Sequence, residues 1–187
     1  MSDEADRTRA PGRAPRMLEV VPYDPRWPEA FASEAPRVRD AIGENVVAVH
    51  HIGSTAVPGL AAKPIIDIVV EVNDIEAVDA QNERMRQLGY EVRGEWGFSG
   101  RRYFVKREGS RRTHHVHVYQ TGHPEIESAC AFRDYLRAHP AQAREYGCLK
   151  QRLARQLPLA VQGYQEAKAD FVERMVKAAL AWRSRAD

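Results

Sequence analysis

The chain has 187 residues, 43% of them hydrophobic and 29% charged, which suits one well-buried core and is too short for two comfortable domains. Its net charge of +2 gives the whole molecule no strong pull toward membranes and argues against nucleic acid as a partner. No apolar run is long enough to span a bilayer and the first residues lack the apolar centre of an export signal. The chain therefore reads as cytoplasmic, with Cys130 and Cys148 reduced and partly buried.

Residues 1–16 are acidic and then rich in Arg, Pro and Ala. They carry too little apolar surface to offset the entropy of ordering them, so they read as a disordered leader. A single domain is expected over 17–187. Leu18–Val21 is a short β-prone run closed by Pro22. Pro28 suits the first turn of a helix that runs to about Ile42, with Ala30, Phe31, Ala35, Val38 and Ile42 on its apolar side. Val46–His51 and Ile65–Val72 read as strands, and the Gly- and Pro-rich segment between them is too broken for a long helix.

Asp74 is a good N-cap for a helix over Ile75–Leu88, which Gly89 ends. Tyr90–Val92 is a short strand. Arg102–Arg107 and His114–Gln120 make a hairpin across Glu108-Gly109-Ser110. The pattern is then helical over 124–183, with helices near Glu125–Ala138, Ala141–Gln156 and Gln162–Trp182 broken at Pro140 and Pro158. The fold class is α/β or α+β: a mixed β-sheet with flanking helices, followed by a helical C-terminal region.

Chemistry concentrates in His51-Ile52-Gly53-Ser54 and Lys63-Pro64-Ile65-Ile66-Asp67. A strand that ends in Gly-Ser can turn sharply and offer N–H groups and a hydroxyl to an anion. A phosphate there needs a counter-charge, usually Mg²⁺, which prefers carboxylate and water oxygens. Asp67 supplies the carboxylate, and Lys63 adds a phosphate contact. If the intervening loop folds back, Ser54 and Asp67 sit at adjacent strand ends. The bland alternative is a Gly-rich turn before a core strand.

These residues resemble the signature of the GrpB family, from His51-Ile52-Gly53-Ser54-Thr55-Ala56-Val57-Pro58-Gly59-Leu60 to Lys63-Pro64-Ile65-Ile66-Asp67-Ile68. Further matches are Gly100-Arg101-Arg102-Tyr103-Phe104, His115-Val116-His117-Val118, Phe132-Arg133-Asp134-Tyr135-Leu136-Arg137, and Tyr146 with Leu149-Lys150. The resemblance implies a branch of the polymerase-beta-like nucleotidyltransferase fold. Active members of that fold carry Asp-x-Asp or Asp-x-Glu on one strand, so that two carboxylates hold metal ions from one face. Here the partner position is Val69, and Glu71 lies about 13 Å along the strand at roughly 3.3 Å per residue, too far to replace it.

His115 and His117 face one way on their strand. If that strand neighbours Asp67, the three form a two-histidine, one-carboxylate set that suits Mn²⁺, Zn²⁺ or Fe²⁺ better than Mg²⁺. Arg101, Arg102 and Lys150 are further candidates for binding phosphate, and His117 or His115 for the general base.

Three functions follow. The first is metal-assisted transfer of a nucleotidyl group from a nucleoside triphosphate to a small acceptor. The second, favoured by Val69, is a catalytically degenerate module that binds a nucleotide or another anionic metabolite. The third is a metallohydrolase built on His115, His117 and Asp67.

Overall fold

The computed structural model describes residues 19–157 and 161–185; the expected leader, residues 17 and 18, and the expected break at Pro158 lie outside them. Helix α1 (Trp27–Ile42) leads through a short 3₁₀ turn into β1 (Val46–Ile52). After the Ser54–Ala56 3₁₀ turn come β2 (Ile66–Val72), a second 3₁₀ segment, α2 (Asn82–Gln87) and β3 (Tyr90–Val92). The hairpin β4 (Arg101–Glu108) and β5 (Arg111–Gln120) precedes helices α3 (Pro124–Ala138), α4 (Pro140–Gln156) and α5 (Val161–Arg183). The five strands form one mixed sheet in the order β1-β2-β5-β4-β3. Only the central pair, β2 and β5, is parallel.

Period-two alternation divides the sheet into two unlike faces. Ile66, Ile68, Val70, Val72, Phe104, Val116 and Val118 point to one side, where Trp27, Val38 and Ile42 of α1 and Met85 of α2 cover them. Ile52, Val69 and Tyr119 point to the other side and pack under Ala129 and Cys130 of α3. A third cluster joins Val57 and Leu60, from the loop after β1, to Leu136, Tyr146 and Phe171 of the last three helices. The C-terminal helices are thus docked on the loop that carries Ser54.

Several local expectations are revised. Among the described residues of the Leu18–Val21 run, Val21 makes a bridge with Ala62 in place of a strand. The expected helix over Ile75–Leu88 is split into the 3₁₀ segment Glu76–Gln81 and α2. Asp74 accepts from the Glu76 N–H at 2.9 Å in a local turn, and tertiary bonds draw the Glu76 and Asp79 carboxylates to Arg102. Cys148 is exposed rather than partly buried, while Cys130 is buried; both are free thiols. No helix among the described residues is long and apolar enough to cross a membrane.

Candidate functional site

The site starts at the end of β1. Ile52 pairs with Asp67 across the antiparallel ladder, so the next residues of the chain, Gly53 and Ser54, lie beside the start of β2. Gly53 has φ 72°, where a side chain is strained, and an added Cβ would stand 2.8 Å from Asp67 Oδ2. Only a glycine lets the turn approach the carboxylate this closely. Two arginines of α3 hold the turn from outside: Arg133 donates to the His51 carbonyl at 3.0 Å and Arg137 to the Ala56 carbonyl at 2.9 Å.

The parallel register then sets Asp67 beside His115 and Val69 beside His117. Asp67, His115 and His117 share one face, and one ligand atom from each lies within 4.8 Å of the others. His115 Nδ1 is 3.0 Å from Asp67 Oδ1. An ionised carboxylate only accepts, so Nδ1 carries the proton and Nε2 keeps its lone pair. That Nε2 is buried without a hydrogen-bond partner. A carboxylate and two imidazoles on one strand face are a donor set that fits a divalent transition metal.

On the other side of the turn, Lys150 of α4 donates to Ser54 Oγ at 2.7 Å. Only 3% of Lys150 is exposed. The Tyr146 ring lies 4.4 Å from Lys150 Nζ. Burial holds the Lys150 amine well below its ordinary value; Lys168 and Lys63 push the same way, and Asp67 opposes them. Lys63 and Lys168 lie against Tyr164, with Nζ 4.7 and 5.5 Å from its ring centre. One hydroxyl-bearing turn therefore separates a cluster of lysines from a carboxylate–imidazole cluster.

Comparison with known proteins supplies the lineage. The family model described as GrpB protein matches residues 17–178. The chain belongs to the GrpB family. It is 46% identical over 168 residues to UPF0157 protein YqkA of Bacillus subtilis, covering 90% of this chain and 49% of that protein. The chain thus spans about half the length of that relative. The crystal structure of conserved protein GrpB from Enterococcus faecalis superimposes with a TM-score of 0.85 at 46% identity, covering 88% of this chain and 99% of that one. A dephospho-CoA kinase of Mycolicibacterium paratuberculosis is 27% identical over 200 residues, covering 94% of this chain and 48% of that protein.

Within this GrpB chain the two adjacent arginines part company. Arg101 points to the site face: it lies 3.5 Å from His117 Nδ1, donates to the Trp96 carbonyl at 2.8 Å and packs over Phe98 and Tyr103. It thereby ties the Gly94–Gly100 loop, in which Trp96 has a positive φ of 46°, to the histidines. Arg102 points to the opposite face and is held by Asp79 at 2.7 Å and Glu76 at 2.9 Å. The structure thus sets Arg102 apart from Asp67 and His115, because alternation along β4 sends neighbouring side chains to opposite sides.

Val69 is fully buried under α3 with Ile52 and Tyr119. A carboxylate at that position would be desolvated beneath a helix, which explains the valine. Farther along the same face, at Glu71, a cavity of about 370 Å³ opens between His50, His123, Cys130 and Arg183. Sequence reasoning missed Lys168 and Tyr164, which reach the site from α5; Arg133 and Arg137 of α3 stood in it as matches to the family pattern, without their grip on the turn. The Tyr146–Lys150 spacing on one helix face was the only local signal for this half of the site.

Proposed function

We propose that this GrpB-family chain transfers a nucleotidyl group from a nucleoside triphosphate to a small acceptor, with metal assistance, on a nucleotidyltransferase-like fold. The observation that carries the reading is the convergence of the Gly53–Ser54 turn, the lysine cluster and the Asp67–His115–His117 set. The backbone of the Gly53–Ser54 turn and Lys63 would receive the β- and γ-phosphates. Asp67 and His115, with His117 adjoining, would hold the divalent ion, and Mn²⁺ suits such mixed ligands better than Mg²⁺, with Zn²⁺ as a competitor. When bound, the ion supplies Lewis-acid neutralisation of phosphoryl oxygens. Arg101 offsets charge near His117, and His117 takes the acceptor proton when the ion sits on Asp67 and His115.

The decisive measurement is pyrophosphate release from labelled nucleoside triphosphates with Mn²⁺ or Mg²⁺ and a panel of acceptors. Because relatives are named dephospho-CoA kinase, dephospho-CoA and CoA head the acceptor panel. The expected result is release that Asp67→Asn lowers by about 10³-fold or more. Release that is absent with every metal, or unchanged in that variant, overturns the reading. Hydrolysis with water as the only acceptor would assign the same cluster to a metallohydrolase.

Val69 favours a second reading, a nucleotide- or anion-binding module without turnover. Nucleotide would then raise the melting temperature without metal, equally in Asp67→Asn, and no pyrophosphate would form.

A further inference from the structure

The Ser54–Lys150 pair carries chemistry that phosphate binding alone does not need. Lysines that grip phosphates usually reach them through water-exposed, charged ends. Lys150 instead is sealed on all but 3% of its surface and spends its amine on a serine hydroxyl 2.7 Å away. Ser54 itself is only partly buried, which leaves part of its surface open to an incoming electrophile, whereas the lysine is sealed. A hydroxyl with a base at hydrogen-bond distance, on a sharp strand-to-turn transition, is the arrangement of an activated nucleophile. Tyr146, four residues before Lys150 on α4, lays its ring 4.4 Å from Lys150 Nζ and so backs the pair.

We propose that Ser54 is a nucleophile for which Lys150 is the proton acceptor, and that Ser54 receives the nucleotidyl group as a covalent serine ester before passing it on. In the first half-reaction a bond forms between Ser54 Oγ and the α-phosphorus of the nucleoside triphosphate. The bond from that phosphorus to the bridging oxygen breaks, and pyrophosphate leaves with the electron pair. The Ser54 proton moves to the Lys150 amine. In the second half-reaction the acceptor hydroxyl attacks the same phosphorus, its proton is released, and Lys150 returns a proton to the departing Ser54 Oγ. Nothing is oxidised or reduced. The nucleotide cargo rests on the function proposed above, whereas the nucleophile does not.

Two features support a neutral amine in the resting site. Burial and the lysines at 63 and 168 disfavour the ammonium form, and they outweigh Asp67, which favours it. The route also gives Val69 a rationale: a covalent path through Ser54 activates its first nucleophile with a lysine and does not call on a second strand carboxylate to do so.

The test uses the full-length protein with Mn²⁺ and α- or γ-labelled ATP, read by intact mass and peptide mapping. A parallel arm uses a fluorophosphonate, a serine-directed electrophile, without nucleotide. The α-label and the fluorophosphonate are expected on Ser54. Both should be lost in Ser54→Ala and fall about 100-fold in Lys150→Met, the range of a lost general base. Circular dichroism confirms that each variant is folded, and Lys150→Met keeps an unbranched chain in the buried slot if Ser54→Ala fails to fold.

Fluorophosphonate labelling without a nucleotide adduct supports the nucleophile and counts against the nucleotide reading. Stabilisation by ATP with no Ser54 adduct from either reagent overturns the nucleophile and leaves nucleotide binding standing. Equal labelling of wild type and Lys150→Met overturns the role of the lysine.

Discussion

The two faces of the sheet use the same alternating strands for opposite ends. On the α1 side, the side chains facing inward from β2 and the inner part of β5 are aliphatic and sealed, and the buried acid Glu34 of α1 is fully matched by Lys106 at 2.6 Å, Tyr90 at 2.9 Å and Arg37 at 3.0 Å. On the α3 side the same strands begin with Asp67 and His115 and only then turn apolar at Val69 and Tyr119. The first face pairs its buried acid and leaves only single polar atoms such as His114 Nε2 without a hydrogen-bond partner. The second gathers an unsatisfied imidazole nitrogen of His115, a second imidazole and a carboxylate on one strand face, with a lysine amine against a hydroxyl beyond the turn, and polar groups clustered in this way mark places where ligands bind.

The largest effect should come from breaking the sealed face. Phe104 is fully buried between the sheet and its helices, so Phe104→Ala should cost about 3–5 kcal/mol in chemical denaturation. The variant protein that remains folded should keep its response to Mn²⁺, since Phe104 lies on the far side of the sheet from Asp67 and His115. A lost Mn²⁺ response at full stability would erase the distinction between the faces.

Gly53→Ala probes the other face. The added methyl group meets both a left-handed backbone and Asp67 Oδ2, so about 1–3 kcal/mol of stability should be lost. Because relief of the clash must move the carboxylate, Mn²⁺ affinity measured by calorimetry should fall with it. Unchanged affinity would detach Asp67 from the proposed metal set.

Much of this division could be read from residues alone. The His-x-His spacing placed two imidazoles on one strand face, and the Gly-Ser end of β1 followed by a strand-borne Asp pointed to a turn beside Asp67, where Gly53 lies. Both are local patterns with a fixed period. The 3₁₀ segment at Glu76–Gln81 was not legible, because the partner that draws its carboxylates, Arg102, lies on another strand. Lys168 and Tyr164 were equally silent. Their approach depends on how α5 docks, and no spacing within α5 encodes that.

A pH titration sharpens the comparison next. His51 stacks on Phe31 at 4.7 Å on the α1 side, and burial lowers its pKa to about 4. In the unfolded chain an imidazole titrates near 6.5. Between those values the unfolded state binds more protons, so stability is full above about pH 6.5 and declines as pH falls toward 4. The slope from this group reaches at most about 1.4 kcal/mol per pH unit. His51→Gln should flatten the decline; an unchanged slope would assign acid sensitivity to other groups.

The smallest expected effect discriminates most finely, because it compares neighbours. Arg102 faces the α1 side and grips Asp79 and Glu76, whose side chains are 48% and 76% exposed, so solvent weakens the pairs. Arg102→Ala should therefore cost only about 1 kcal/mol in urea melts and leave nucleotide and Mn²⁺ responses unchanged. Arg101→Lys keeps the charge but loses the fork that spans the Glu95 and Trp96 carbonyls and His117. It should loosen the Gly94–Gly100 loop and weaken nucleotide-dependent stabilisation by about tenfold in apparent affinity, near the value of one charge-assisted bond. If the responses were exchanged, with Arg102 governing ligand effects and Arg101 only stability, the functional face would have been assigned to the wrong side of the sheet. One residue of register separates the two arginines, and in a strand that step decides whether a guanidinium serves the fold or the site.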